Sequence, residues 1–379
     1  MIYFDNSATT FPKPAIVFER AAYASKYLGG NPGRSGHKMS VKVADAVYKV
    51  REKAALFFNA EPENVVFTLN CTHAVNFAMK GIMQSSGHMI ISSLEHNAVS
   101  RPAFALMNSK QNISVSVAKV AQTKEKTISN FKSLIRHDTK CVCMTAASNV
   151  TGEVLPFNEI AEICQKRGIC FILDAAQGAG ILDIKLGKGI NFICCAGHKG
   201  LYGLSGTGLL ISDGKYPLGT IIEGGTGATS LELKQTDFLP EQLESGTINV
   251  PGIISLGAGI DFVKKKGINN IRKKEDRLCD IFVHHVGSMN NFKVFREEQK
   301  EYAPLVSFSY NKANSFEVTD YLSKCGFALR GGYHCSALAH TSLGTKEDGL
   351  TRFSPSVFNN EMQVKKVIAE LKKVNNIGI

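Results

Sequence analysis

Seven short apolar runs, four to seven residues each and spaced by stretches of helix length, constrain this chain more than any other feature. They are Asn64–Thr68, His88–Ser93, Ser114–Val120, Lys140–Thr145, Ile169–Leu173, Phe192–Cys195 and Gly208–Ser212. Between them lie amphipathic stretches at Ser40–Asn59, Thr72–Met83, Val99–Asn108, Ile128–His137 and Pro156–Arg167. Strands that alternate with helices predict βαβ units, and hence a mainly parallel sheet of seven strands covered by helices on both faces. That is an α/β fold. Its ligands are expected at the C-terminal edge of the sheet.

The pattern changes after Gly219–Gly227 and Ser245–Gly252, where glycine and other turn formers thicken. Basic amphipathic helices are predicted at Ile254–Lys266 and Ile271–Val286. A strand pair follows near Leu305–Tyr310 and Ala328–Leu329, then a helix over Glu361–Val374. At 379 residues the chain has room for two units. We expect a large unit over 15–253, a smaller α+β unit over 254–379, and an N-terminal segment, 1–14, packed on the smaller one.

Charge and cysteine content exclude several functional classes. The formal charge is +11, but Lys and Arg are scattered. The densest run, Lys264 to Lys274, is followed at once by Glu275 and Asp276, which reads as a solvated helix face. No nucleic-acid motif accompanies it, so no nucleic-acid partner is expected. There is no secretory signal pattern and no apolar run of about 18 residues, so neither export nor a membrane span is expected. Ten cysteines without a single C-x-x-C pair predict reduced thiols in a cytoplasmic protein, and no metal site.

Two strand ends carry the chemistry. Phe171-Ile172-Leu173 ends in Asp174, with Gln177 three residues on; 25 residues after the Asp, Lys199 follows His198 in Ala196-Gly197-His198-Lys199. An Asp at such an edge can stabilise a protonated pyridine nitrogen. A Lys facing it can form a Schiff base with an aldehyde. Together they supply what pyridoxal 5'-phosphate (PLP) requires. A glycine-rich tail over Gly200–Gly208 completes the pattern.

At this point the chain resembles the class V aminotransferase family of fold-type I PLP enzymes, and within it the cysteine desulfurases. The resemblance runs nearly end to end. It is carried by Tyr3–Thr10, Asn31–His37, Glu95-His96-Asn97, Ser148–Gly152 and Glu244–Thr247, besides the two strand ends. By that resemblance Lys199 is the Schiff-base lysine and Asp174 the partner of the ring nitrogen. Gln177 would bond the ring phenolate, and His96 would stack on the ring as a catalytic residue. Thr72, where a helix begins, is placed for the cofactor phosphate, and His198 would add a second contact. The family often has Ser where this chain has Ala196, which removes one phosphate hydrogen bond. Gly225 and Thr226 resemble residues that reach the phosphate of the neighbouring subunit, implying a homodimer.

A second cluster selects among PLP reactions. Arg330-Gly331-Gly332-Tyr333-His334-Cys335 places a cysteine among polar and glycine neighbours, and Arg352 follows in Thr351-Arg352-Phe353. Cys335 matches the persulfide-forming cysteine of the desulfurases, with the short loop of their group II members. Arg352 resembles the arginine that grips the substrate α-carboxylate, a role suited to a bidentate guanidinium. Asn149, which can also face the cofactor, His37 and Arg330 would complete the substrate pocket. The implied reaction converts L-cysteine to alanine and leaves a persulfide on Cys335 for a sulfur-acceptor protein. The rivals are a selenocysteine lyase acting on L-selenocysteine and another class V enzyme, an aminotransferase or epimerase, in which Cys335 is incidental. A non-catalytic scaffold would have no need of Lys199, Asp174, His96 and Cys335 together.

Overall fold

A computed structural model describes residues 1–33, 36–109, 112–227 and 230–377. The chain opens with strand β1 (Ile2–Tyr3) and helices α1 (Ala15–Tyr27) and α2 (Lys38–Phe58). Strands and helices then alternate: β2 (Val65–Thr68), α3 (Cys71–Ile82), β3 (Gly87–Ser92), α4 (Asn97–Met107), β4 (Ile113–Ala118), α5 (Lys124–Leu134), β5 (Thr139–Thr145), α6 (Phe157–Lys166) and β6 (Cys170–Asp174). Two more strands, β7 (Phe192–Ala196) and β8 (Gly208–Ser212), complete the large sheet. It has seven strands in the order β2-β8-β7-β6-β5-β3-β4, all parallel except β8. All seven strands expected from the sequence are in it.

Strand periodicity explains how both faces are filled. On β5, Val142 and Met144 belong to the apolar cluster that α2 and α6 cover, while Cys141 and Cys143 belong to the one under α3 and α4. Successive side chains of a strand point to opposite faces, so a wholly apolar run supplies both cores at once. The strand cysteines are small apolar fillers. Burial drives the Cys141 and Cys195 thiols well above the usual range, beyond any thiolate role.

The remainder comprises α7 (Val250–Lys266), α8 (Ile268–Gly287), β9 (Phe292–Val294), β10 (Val306–Tyr310), α9 (Ser315–Lys324), β11 (Phe327–Ala328), α10 (Ala337–Leu343), β12 (Thr351–Phe353) and α11 (Glu361–Ile377). The strand pair expected here is not a pair. β10 lies between β12 and β9, whereas β11 pairs in parallel with β1 from the other end of the chain. Phe4, just past β1, is fully buried with its ring 4.6 Å from that of Phe353. This contact, with the β1–β11 ladder, brings the opening residues to the edge of the large sheet.

Candidate active site

The C-terminal ends of β6 and β7 and the start of α3 converge on one cavity of about 320 Å³. Lys199, Asp174, His96, Thr72, Gln177, His198, Asn149, Arg330 and Arg352 all line it. The sequence had placed these nine in one site, and the fold brings them together. Two glycines of the 200–208 run show why that stretch is glycine-rich. A Cβ on Gly200 would lie 2.3 Å from the Ala179 carbonyl oxygen, and one on Gly208 would lie 2.6 Å from the Asn70 carbonyl carbon. Side chains there would push the Lys199 loop away from the strand ends.

Charge in the cavity follows from burial and from its neighbours. Burial lowers the Lys199 pKa, while Asp174 and Cys71 pull it back. Asp174 Oδ1 accepts the Ala176 amide at 2.9 Å. Burial also lowers His96 to about 4, with Asp174 opposing and Lys199 reinforcing the shift, so its ring is neutral near pH 7. His96 Nδ1 caps α4 by accepting the Ala98 amide at 2.9 Å, which leaves the ring proton on Nε2. His198 is likewise lowered to about 4 by burial, then by Lys199 and Lys13, and its buried Nδ1 has no protein partner. Gln177 donates from Nε2 to the Ser7 carbonyl at 3.0 Å.

Arg352 is almost wholly buried. Its Nη1 donates to the Asn149 carbonyl at 2.8 Å and its Nη2 to Asp5 Oδ1 at 2.9 Å, while Nε has no partner. Asn149 links this arginine to the cysteine loop. Its Nδ2 donates to the His334 carbonyl at 2.7 Å, and its Oδ1 accepts the Ser336 hydroxyl at 2.6 Å. Both residues flanking Cys335 are thus held by one amide. Cys335 is exposed, its Sγ lies 3.8 Å from Arg330 Nη2, and its carbonyl accepts the Asn97 amide at 2.7 Å.

Three of the expected residues lie elsewhere. His37 is exposed and caps α2, its Nδ1 accepting the Ser40 amide at 3.1 Å. Arg34 and Ser35 of its motif fall outside the described residues. Thr226 lines a separate cavity with Asn31, Gly33 and Arg51, and Gly225 accepts the Gly246 amide at 2.9 Å. Sequence reasoning missed Asp5 and Cys71 as parts of the site. Asp5 had a visible signal, its place in the quoted Tyr3–Thr10 motif; Cys71 had only its adjacency to Thr72.

These groups fit a phosphorylated pyridine aldehyde. An amine of lowered pKa adjoins a strand-end carboxyl, a neutral imidazole stands in the same cavity, and the unpartnered His198 nitrogen and the α3 N-terminus offer anion donors. Among the described residues no group of His, Cys, Asp and Glu could hold a metal ion.

Comparison with known proteins agrees. A Methanothermobacter thermautotrophicus protein named "Probable cysteine desulfurase" is 27% identical over 387 aligned positions, spanning 100% of this chain and 95% of its own length. A Borreliella burgdorferi protein of the same name is 28% identical, spanning 99% and 92%. The apo structure of a cysteine desulfurase from Thermococcus onnurineus NA1 superposes with a TM-score of 0.91 at 25% identity, covering 98% of this chain and 94% of that one. The family model for class-V aminotransferases matches residues 2–367. With its strand-end Asp174 and Lys199 in one cavity, the chain belongs to the class-V aminotransferase family.

Proposed function

We propose that this protein is a PLP-dependent cysteine desulfurase. The observation that carries the reading is the placement of Cys335 Sγ 3.8 Å from Arg330, whose side chain lines the same cavity as Lys199, Asp174 and Arg352. Lys199 would tether the cofactor, Asp174 would face its ring nitrogen, His96 would cover its ring, and Thr72 and His198 would hold its phosphate. When bound, PLP withdraws electron density from the substrate α-carbon.

The chain's own groups account for the rest. Arg352, with its free Nε, and Arg330 would orient the α-carboxylate of L-cysteine, with Asn149 beside them. The lowered pKa of Lys199 suits its Nζ to move the α-proton. The Cys335 sulfur then attacks the substrate sulfur. The carbon–sulfur bond breaks, a sulfur–sulfur bond forms, and the electron pair left on carbon takes a proton to give alanine. Cys335 retains the sulfur as a persulfide for an acceptor protein. His37 is assigned no part in the pocket, because its ring is engaged as a helix cap.

A homodimer is part of this reading. Gly225 and Thr226 lie off the cavity of their own chain, Thr226 lining another with Phe238. Leu231 and Leu233, a few residues further along the chain, are fully exposed, as a face covered by a second copy would be. A cytoplasmic setting suits ten free thiols, and no described helix is long and apolar enough to cross a membrane. The division at residue 253 stays part of the proposal, and α7 runs across it.

Incubation with L-cysteine, assaying alanine and protein-bound persulfide together, tests the function. Equal yields of both with the persulfide on Cys335 are expected. Alanine without persulfide, or no alanine, would overturn it.

A further inference from the structure

One buried thiol of the cavity is left unused by this chemistry. Cys71 is the first residue of α3, next to Thr72, and its side chain turns under the helix toward the ends of β6 and β7. Its Sγ lies 3.3 Å from Asp174 Oδ1 and 3.3 Å from the Cys194 carbonyl oxygen. Both are distances at which a thiol donates a hydrogen bond. Burial, with Asp174 beside it, pushes this thiol well above the usual range, so it remains S–H and toward the carboxyl acts as donor.

The carboxyl is held unevenly. Oδ1 accepts both the Ala176 amide and the Cys71 thiol, while Oδ2 has no hydrogen-bond partner among the described residues. Asp174 is 2% exposed yet lines the cavity, so the oxygen offered to a ligand is the unengaged one. An amide alone leaves a carboxyl free to swing about its side-chain bonds. A second donor from another element fixes the plane of the group. Because the sulfur belongs to the first turn of α3, the same turn that carries Thr72 also orients Asp174.

We propose that Cys71 is a positioning residue for Asp174, its thiol pinning Oδ1 so that Oδ2 is presented to the protonated ring nitrogen of PLP. The inference rests on the PLP reading above. It predicts that Cys71 acts on the ring nitrogen and not on the phosphate, although it adjoins Thr72.

Equilibrium binding to the apo-protein tests this without any turnover. PLP is compared with its analogue in which the ring nitrogen is replaced by carbon, using wild type, Cys71→Ala, Cys71→Ser and Asp174→Ala. Cys71→Ala should weaken PLP binding about tenfold, the scale of one hydrogen bond to a charged acceptor, and leave the carbon analogue unchanged. Cys71→Ser, which keeps a donor, should recover most of the loss. Equal weakening of both ligands in Cys71→Ala would assign the residue to packing and overturn the proposal, as would undiminished PLP binding. Asp174→Ala separates the two levels of argument. If Asp174→Ala weakens both ligands equally, the ring-nitrogen role of Asp174 falls; if it weakens PLP selectively and Cys71→Ala does not, only the role of Cys71 falls. A thermal melt of each apo-variant identifies any that fails to fold, and for such a variant Cys71→Val supplies the donor-free comparison.

Discussion

Asp5 Oδ1 accepts a hydrogen bond from Arg352 Nη2 at 2.9 Å, joining the segment just past the first strand to the last strand across most of the chain. Arg352 is 1% exposed, so this carboxylate balances a cation that water scarcely reaches. Breaking a buried pair from one side strands the other charge. Asp5→Ala is therefore expected to lose about 2 kcal/mol of stability, below the fully buried range because Asp5 keeps some water contact. Urea unfolding measures it, and an unchanged midpoint would show that Asn149 alone satisfies the arginine.

Arg352→Ala should separate substrate binding from cofactor binding. KM for L-cysteine should rise at least tenfold, the scale of a charge-assisted bond, while cofactor affinity is kept. A KM equal to that of wild type would move the carboxylate grip to Arg330.

Lys199→Ala should lose the yellow colour of lysine-bound cofactor, because Lys199 is the lysine that lines the cavity with Asp174. Colour retained in that variant would place the tether elsewhere.

Two cysteines are exposed, Cys325 and Cys335, which makes one a control for the other. Cys335→Ala should bind cofactor and L-cysteine yet form no persulfide. Cys325→Ala, at the end of α9 and outside the cavity, should retain nearly full desulfuration. Persulfide formation by Cys335→Ala would remove that residue from the reaction.

The pH dependence of stability has two opposed limbs. Burial raises Glu275 from 4.5 to about 8 despite a bond from the Tyr202 hydroxyl, so the folded state favours its protonated form. Its contribution is complete below pH 4.5 and is lost as pH rises through about 8. His96 and His198, lowered from 6.5 to about 4, contribute above pH 6.5 and lose it as pH falls through about 4. Glu275→Gln should therefore gain stability relative to wild type progressively between those alkaline-limb values. A constant difference across that interval, in denaturant melts, would show that Glu275 does not titrate there.

The large sheet and the paired ends of β6 and β7 were legible because each is a local signal. A wholly apolar run of five or so residues, followed by a polar group, reads the same in any context. What the sequence hid was pairing at long range. Ala328 and Leu329 look like a partner for the neighbouring β10, yet the strand forms at Phe327–Ala328 and pairs with Ile2 and Tyr3, since nothing in a two-residue strand names its partner. Cys71 was opaque for a related reason. Its role depends on which way one side chain turns beneath a helix, and adjacency to Thr72 does not reveal that. His37 shows the converse case, where a motif position that suggested a ligand group is occupied by a helix cap.

Cys335 and His334 both adopt the left-handed backbone region, with φ of 58° and 47°, and neither is glycine. Such a pair persists only where its surroundings over-determine it, here through Asn149 on both flanks and Asn97 on the Cys335 carbonyl. The sulfur atom is therefore mounted on a fixed perch instead of a swinging arm. On the proposed function, sulfur held there would not be carried outward to a distant receiver. An acceptor would have to bring its own thiol to the rim on a protruding finger, so that collection would turn on that finger's reach and shape.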